Sequence, residues 1–238
     1  MKPSTRAEVE QWWRRLFGVD DALWSSVTVL HPHRELGDYE GWYVAWRDAG
    51  VHVSAPASAH VDDVASLTNE RVTTLQDASF WNAFADARAL EVIGPSTHFY
   101  LDEDPGPADG VVDLTDKELT RLRATVRPEE WDEGGMADEP PPPVRFGIIE
   151  DGVPVAVAVL NEWRDGAADI GVVVAPSHRG RGLAAVVGRH AASYAIRQQG
   201  IARWRAATTN LASSRTAQRL GFEPYATQLA VRRGSSTA

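Results

Sequence analysis

A glycine-rich turn at residues 179–182 is the part of this sequence whose residue types most directly suggest chemistry. Arg179-Gly180-Arg181-Gly182 follows an apolar run and precedes an amphipathic stretch, which predicts a turn between a buried strand and a helix. The first backbone N–H groups of a helix lack intrahelical partners and lie at the positive end of the helix dipole. Because glycines let the backbone approach a ligand closely and the arginines add positive charge, the turn is predicted to bind a pyrophosphate.

Other phosphate or nucleic-acid motifs fit this turn less well. A P-loop needs Lys followed by Ser or Thr, where this sequence has Leu183 and Ala184. Gly180, Gly182 and Ala185 match a loose dinucleotide pattern, but antiparallel strands are predicted before them and no acid stands at a strand end about 20 residues on. A single Arg-Gly-Arg-Gly segment in a chain of net charge −9 does not indicate RNA binding.

The elements that position the turn follow from apolar runs and turn residues. Asp151-Gly152 and Asp165-Gly166 separate apolar runs at 144–150, 153–163 and 168–175. Asp-Gly is typical of tight hairpin turns, so these runs are predicted to form a three-stranded antiparallel meander. Apolar spacing and helix-end residues predict the neighbouring elements: helices from 116 to 126 and at 128–133, 182–199 and 211–220, and strands at 201–207 and 222–231.

A break at residues 104–110 divides the sequence, because its two prolines, two glycines and two acids cannot continue a helix or a strand. We predict an N-terminal α+β subdomain over 1–105, a second domain over 110–233 that contains a mobile loop at 133–143, and a flexible tail over 234–238. In the N-terminal part, side-chain spacing predicts helices at 5–17, 60–67 and 75–87 and strands at 42–47, 51–54 and 98–101.

Composition excludes several classes of protein. The 238 residues are 43% hydrophobic and 24% charged, within the range of globular proteins. Cys is absent, which excludes disulfides, thiolate metal sites and cysteine nucleophiles. The net charge of −9 argues against nucleic acid as the main partner. Because no apolar run approaches the roughly 20 residues of a membrane-spanning helix and the first residues lack a signal-peptide core, we expect a cytoplasmic protein without a membrane partner.

Two segments resemble the markers of the GNAT superfamily of N-acyltransferases. The first family marker is Arg or Gln, two residues, Gly, one residue, then Gly or Ala, and Arg179, Gly182 and Ala184 fill these places. The second marker is an Asn followed by a helix that ends in Leu-Gly-Phe, and the segment from Asn210 to Phe222 is similar to it. The resemblance covers about residues 111–232 and implies an α/β fold with a central mixed β-sheet flanked by helices. Residues 1–105 show no such match, and they are predicted either to cap the acceptor site or to be a degenerate second copy of the fold.

The resemblance implies acetyl-CoA as cosubstrate and requires no metal. In this fold the pantetheine arm lies between two splayed strands and is hydrogen-bonded to the backbone of the strand that ends at Val174. The pair His31-Pro32-His33 has no nearby acid or histidine at ligand spacing, so no metal site is predicted. The implied cofactor-binding residues are Val172, Val173, Val174, Arg179, Gly180, Arg181, Gly182, Leu183, Ala184, Asn210 and Ser213.

Acetyl transfer to an amine needs a base for the amine proton and an acid for the leaving thiolate. Asp169 is the predicted base because it begins the central strand where many family members carry an acid, and Glu162 on the neighbouring strand is the competing candidate. Many relatives place a Tyr acid on the helix after the Asn, but Ala217 occupies that position here. Tyr225 is the predicted substitute, with protonation by solvent as the alternative.

Acidic residues mark the region that borders the acceptor site in this family. They are Glu129, Glu130, Asp132 and Glu133, followed in the loop by Asp138 and Glu139. Together with Trp131 and Trp163 they suit a cationic amine through charge and cation–π contacts; a solvated acidic surface is the alternative interpretation. The sequence therefore predicts an acetyl-CoA-dependent N-acetyltransferase, monomeric or homodimeric, that acts on a small cationic amine such as an aminoglycoside-like compound or a polyamine. A protein N-terminal or lysyl acetyltransferase and a non-catalytic acyl-CoA-binding module are the alternatives.

Overall fold

The computed structural model of the protein describes residues 1–19, 23–37, 39–136, 142–162 and 166–234. These residues form two compact units, each built from more than one stretch of chain. The first unit consists of residues 1–5, 99–205 and 210–224, and the second of residues 6–98, 206–209 and 225–234. None of the described helices is both long enough and apolar enough to cross a membrane.

Helices and strands are interspersed along the chain. The helices are α1 (Pro3–Phe17), α2 (Val61–Thr68), α3 (Val72–Leu75), α4 (Ala78–Asp86), α5 (Asp116–Arg123), α6 (Pro128–Glu133), α7 (Leu183–Gln199) and α8 (Leu211–Arg219). The strands are β1 (Val27–Leu30), β2 (Gly41–Arg47), β3 (Gly50–Ser54), β4 (Glu91–Leu101), β5 (Val112–Asp113), β6 (Arg145–Glu150), β7 (Val153–Asn161), β8 (Asp169–Val174), β9 (Ala202–Ala207) and β10 (Glu223–Arg232). Among these elements, α1, β4, β9 and β10 contribute residues to both units.

The sheet of the first unit is mixed. Its strands follow the order β9-β8-β7-β6-β5, in which β5 to β8 pair antiparallel and β8 pairs parallel with β9. The hairpin between β6 and β7 turns at Asp151 and Gly152, whose φ angles of +50° and +74° match the left-handed conformation of a two-residue hairpin turn. The predicted fold class, a mixed sheet flanked by helices, is confirmed.

Helices cover both faces of this sheet. On one face, Val157, Val159 and Val173 belong to a buried cluster with Leu122 of α5 and Trp131 of α6. On the other face α7 packs against β6, β7 and β8. The strands present alternate residues to the two faces, so each helix layer buries its own set of apolar side chains.

Local capping fixes where α5 begins. The Thr115 hydroxyl accepts a hydrogen bond from the Glu118 backbone N–H, and the Glu118 carboxylate accepts one from the Thr115 backbone N–H. This capping box satisfies two backbone donors that the helix itself cannot. The helix ends at Arg123, three residues before the predicted end at Val126.

The second unit contains paired strands and a hydrophobic core. Its strands run β1-β3-β2-β10-β4, with β1 parallel to β3 and with β2 antiparallel to both of its neighbours, β3 and β10. One face packs against α2, α3 and α4, where buried Trp81 donates a hydrogen bond from Nε1 to the Leu75 carbonyl at 2.8 Å. On the other face, the ring of Phe17 in α1 lies 4.0 Å from that of His52 and 5.6 Å from that of Tyr43.

Three elements of the second unit differ from the sequence-based prediction. The single helix expected at 75–87 is two helices, α3 and α4, because Asp77 accepts a hydrogen bond from the Ser79 N–H and caps a new helix start. Strand β1 was not predicted. Strand β4 begins at Glu91, well before the expected residue 98, and its Gly94-Pro95 pair masks the strand pattern.

Candidate active site

Strands β8 and β9 part after a short stretch of parallel pairing. Their described register pairs Asp169 with Arg203 and Ile170 with Trp204. Beyond Ile170, β8 continues to Val174 and stays paired with β7. Among the described residues, the opposite backbone edge of 171–174 has no strand partner in β9, which is the splayed geometry expected beside a pantetheine arm.

The glycine-rich turn connects the end of β8 to the start of α7. Gly180 and Gly182 have φ angles of +77° and +81°, in the left-handed region that favours glycine. A Cβ atom added at either position would meet no other atom within 4 Å. The backbone conformation therefore requires these glycines, and open space lies beside them for a phosphate group.

Arg179 is held by a carboxylate and by the strand end. Its Nη1 and Nη2 donate to the two carboxylate oxygens of Glu130 at 2.9 Å each, and its Nε donates to the Val174 carbonyl at 3.2 Å. Arg127 also donates to Glu130, at 2.8 Å. Hydrogen bonds from Arg179 and Arg127 lower the pKa of Glu130 to about 2.

Arg181 is engaged in the same way by Glu150 of β6. Its two terminal nitrogens donate to the two carboxylate oxygens at 2.9 Å each, and His178 Nε2 lies 3.7 Å from one of those oxygens. The hydrogen bonds from Arg181 lower the pKa of Glu150. The side chains of Arg179 and Arg181 are 46% and 51% exposed, so both guanidinium groups remain open to solvent.

Asp169 begins β8, in the short stretch where β8 and β9 are still paired. It is 8% exposed. Its Oδ2 atom is 3.6 Å from Nη2 of buried Arg203 and 3.7 Å from Nε of Arg205. Its Oδ1 atom is buried and, among the described residues, has no hydrogen-bond partner. A buried carboxylate oxygen of this kind is suited to accept a proton from a bound ligand.

Glu162, the competing base, follows the end of β7 and is exposed. It lies at a cavity of about 440 Å³ that is also lined by Asn161, Ala168 and, on α7, Tyr194 and Gln198. The register places Asn161 opposite Asp169, so the two candidate bases stand near the same end of the β7–β8 pair.

Asn210 and Ser213 are both bonded within the first unit. Asn210 is the N-cap of α8, because its side-chain oxygen accepts from the Ser213 N–H at 3.0 Å, and its Nδ2 donates to Glu133 at 2.7 Å. The Ser213 hydroxyl accepts from Trp204 Nε1 at 2.9 Å. Ala217, where many relatives carry a tyrosine, is fully buried in α8.

The end of α6 packs closely on β8. A Cβ atom on Gly171 would lie 2.2 Å from the Gly134 carbonyl oxygen, and one on Gly134 would lie 2.3 Å from Val173. Asn161 Nδ2 donates to the Gly135 carbonyl at 2.9 Å. These contacts place the end of α6 directly over the middle of β8.

The predicted acceptor residues have different surroundings. Trp131 is 2% exposed and donates from Nε1 to the Met136 carbonyl at 2.9 Å, so the structure places it in the core of the first unit. Glu133 is exposed and bonded to Asn210. Trp163, Asp138 and Glu139 lie outside the described residues.

The predicted acid Tyr225 lies in the second unit. Its hydroxyl donates to Glu10 and accepts from Trp24 Nε1 at 3.3 Å, both within that unit. Burial, together with the Glu10 carboxylate, raises the pKa of Tyr225. Its role as an acid therefore stays a prediction.

Sequence reasoning did not single out Glu150 or Arg203, and it placed Glu130 only within an acidic cluster. Each is brought to the site by strand or helix register, since Arg203 lies opposite Asp169 and Glu150 ends β6. The sequence does contain one signal for these carboxylates. The turn carries two arginines with no acid between them, and in an acidic protein such arginines are expected to bind carboxylates from other segments. Among the described residues, no group of three His, Asp or Glu side chains is arranged to hold a metal ion.

Residues 110–222 match the model of the acetyltransferase (GNAT) family. No curated protein matches the sequence. An acetyltransferase of the GNAT family from Colwellia psychrerythraea is 15% identical over 97% of both chains, with a TM-score of 0.50, which shows a likeness of fold alone.

Two further structures have lower TM-scores. A protein of the GNAT family from Novosphingobium aromaticivorans is 21% identical, with a TM-score of 0.48 over 61% of this chain and 68% of that chain. A GCN5-related N-acetyltransferase from Kribbella flavida is 23% identical, with a TM-score of 0.43 over 67% of this chain and 65% of that chain. The family match, by contrast, contains both sequence markers, the splayed strands and the glycine-rich turn. Residues 110–222 are therefore a domain of the acetyltransferase (GNAT) family.

Proposed function

We propose that the protein is an acetyl-CoA-dependent N-acetyltransferase that acts on a primary amine of a small cationic molecule, such as an aminoglycoside-like compound or a polyamine. The observation that carries this proposal is the parting of β8 and β9 within the family-matched segment, directly before the glycine-rich turn at the start of α7. Acetyl-CoA supplies the acetyl group as a thioester. The residues of the chain bind and orient acetyl-CoA and the amine, and they deprotonate the amine.

The cofactor-binding role rests on backbone groups. The free edge of β8 at Val172–Val174 offers N–H and C=O groups to a pantetheine amide chain, and the backbone of 180–184 offers N–H donors to a diphosphate. Val173 is buried, while Val172 and Val174 are half-buried. Asn210 and Ser213 stand at the start of α8, where their contact with the cofactor stays part of the proposal.

Asp169 is the proposed base. An amine is protonated near neutral pH, so it must lose a proton before it can attack the thioester. The buried Oδ1 atom of Asp169 is positioned to accept that proton, directly or through water. Arg203, 3.6 Å from Oδ2, offsets part of the charge of the buried carboxylate.

Protonation of the leaving thiolate is assigned to solvent, because the hydroxyl of the other candidate, Tyr225, donates to Glu10. Position 217 supplies no hydroxyl, because it is a buried alanine. A thiol has an ordinary pKa of about 8.5, so a thiolate that reaches water needs little assistance at neutral pH.

Exposed acids on α6 support a cationic acceptor. Glu129, Asp132 and Glu133 are exposed on this short helix, whose end packs over β8. A cluster of carboxylates attracts cations over several ångströms and raises their local concentration. Trp131 is less suited to a cation–π contact than the sequence indicated, because its ring is buried.

The test is titration calorimetry with acetyl-CoA, followed by thiol release from acetyl-CoA with aminoglycosides, polyamines and short peptides as acceptors. Binding and thiol release with a polyamine or aminoglycoside are expected. Release with peptides alone would assign a protein acetyltransferase instead, and binding without release for any amine would identify a non-catalytic acyl-CoA-binding module. Absence of acetyl-CoA binding would contradict the proposal entirely.

A further inference from the structure

Both arginines of the turn are bonded to carboxylates of other elements. Arg179 and Arg181 each donate two hydrogen bonds of 2.9 Å to one glutamate, Glu130 of α6 and Glu150 of β6. In each pair the two terminal nitrogens of the guanidinium face the two oxygens of the carboxylate. The Nη1–Nη2 edge of each arginine is therefore already occupied by a carboxylate.

A phosphate group presents the same pair of oxygens to a guanidinium as a carboxylate does. To form a two-point contact with Nη1 and Nη2 of Arg179 or Arg181, a phosphate must displace Glu130 or Glu150. Both arginine side chains are about half exposed, so a ligand has access to them. Exposed ion pairs contribute little free energy, so replacing the carboxylate by a phosphate on the arginine costs little.

We propose that Glu130 and Glu150 set the affinity of the turn for acetyl-CoA by competing with its phosphate groups for Arg179 and Arg181. This inference rests on the proposed function. The charge count supports it: Arg127, Arg179 and Arg181 surround the two glutamates, so removal of both carboxylates raises the local charge from about +1 to about +3.

The competition also links α6 to the cofactor. Release of Arg179 from Glu130 removes one of the contacts that hold α6, while Gly134 stays packed on β8 and Glu133 stays bonded to Asn210. Since α6 carries the acids assigned to the acceptor, exchange at Glu130 gives cofactor binding a direct effect on the acceptor region. Glu150 lies on β6 and has no such connection.

The experiment is calorimetric titration with acetyl-CoA of the wild type, E130Q, E150Q and the double variant. Each exposed pair is worth a factor of about 1.4 to 5, so we expect the double variant to bind about 2 to 25 times more tightly. The matched control is the double variant E129Q and D151N, which removes the same two charges from the neighbouring exposed positions. Asn suits position 151, whose φ is +50°.

Salt dependence supplies a readout that a purely structural role of the glutamates would not change. In the wild type, added salt weakens the internal ion pairs and the phosphate contacts together, so affinity should fall only slightly. In the double variant nothing offsets the loss of phosphate contacts, and affinity should fall more steeply between 50 and about 500 mM NaCl.

The outcomes separate this inference from the proposed function. Tighter binding by the E130Q and E150Q variant than by the control supports the competition. Equal or weaker binding overturns it and assigns the glutamates to bracing Arg179 and Arg181 instead, while the proposed function stands. If neither wild type nor any variant binds acetyl-CoA, both proposals fail.

Discussion

In the first unit, the arginines of the turn carry half-exposed side chains that are bonded to carboxylates, whereas in the second unit His33 and His52 are buried among aromatic rings. The exposed pairs lose little when a ligand replaces one partner, because water screens both states. The buried imidazoles have no such exchange available. His52 Nε2 is 2.7 Å from the Ser54 hydroxyl, and burial lowers the pKa of His52 to about 3. Exposure thus separates the polar groups that we propose bind a ligand from the buried polar groups that make stability depend on pH.

Asp169 is the strictest test of this comparison, because it is buried like the histidines but is the proposed base. Asp169→Asn removes the proton acceptor and keeps the shape, so kcat should fall about 100-fold or more. Acetyl-CoA affinity, measured by calorimetry, should change little. Initial rates of thiol release give kcat.

Glu162→Gln is the matched control for that variant, since it neutralises the exposed competing base. Its kcat should stay within about twofold of wild type, as ordinary for an exposed side chain outside the reaction. A larger loss in Glu162→Gln than in Asp169→Asn would move the role of base to Glu162.

Charge beside the turn can be varied at Gly182. Asp and Asn adopt its left-handed conformation at similar cost, so Gly182→Asp and Gly182→Asn differ mainly by one negative charge. We expect Gly182→Asp to bind acetyl-CoA about 30-fold more weakly than Gly182→Asn, because the carboxylate repels the phosphate groups. Calorimetry gives both affinities, and equal values would remove the turn from the cofactor site.

The buried histidines predict a loss of stability in mild acid. Below pH 6.5 the unfolded chain protonates His52, while the folded protein, with a His52 pKa of about 3, does not. The free energy of unfolding should therefore fall by about 1.4 kcal/mol per pH unit, or about 2 kcal/mol between pH 6.5 and 5. Burial also lowers the pKa of His33, which adds to the effect in the same direction.

Urea unfolding at pH 6.5 and pH 5 measures this difference. His52→Gln should reduce the pH dependence, whereas His60→Gln, at a 76% exposed side chain, should leave it unchanged. Carboxylates with lowered pKa values, such as Asp63 and Glu130, contribute only further into the acid range. Unchanged pH dependence in His52→Gln would contradict the assignment.

The smallest effect is expected at Val172, on the free edge of β8. Its proposed contact with the cofactor is made by backbone atoms, and its side chain is half-buried. Val172→Ile keeps the β-branched shape, so acetyl-CoA affinity should stay within about twofold. A much larger loss, with the melting temperature unchanged, would show that the side chain itself faces the ligand.

The sequence predicted the elements of the first unit because each has a local signal. Asp151-Gly152 marks a hairpin, Gly200 ends α7 with a φ of +77°, and Thr115 with Glu118 starts α5. Such turns and helix ends depend on backbone conformation and local hydrogen bonds, which residues adjacent in the sequence determine. The turn and the strand before it were predictable for the same reason.

Contacts between distant segments were not predictable from local signals. The pairing of Arg203 with Asp169 depends on strand register, and the pairing of Glu150 with Arg181 joins residues 31 positions apart. Trp131 was assigned to a ligand because of its acidic neighbours, although helical packing buries it. Residue type predicts what a side chain can do, while register and packing decide which partner it finds.

The division of β4, β9 and β10 between the two units has a consequence for any attempt to dissect the protein. The family-matched segment, residues 110–222, includes residues 206–209 of the second unit and omits residues 99–109 of the first. A fragment cut at those limits would leave β10 behind and start after β4. The limits of the family match and the limits of the compact units therefore differ on this chain. A truncation made at the limits of the family match would cut through both units.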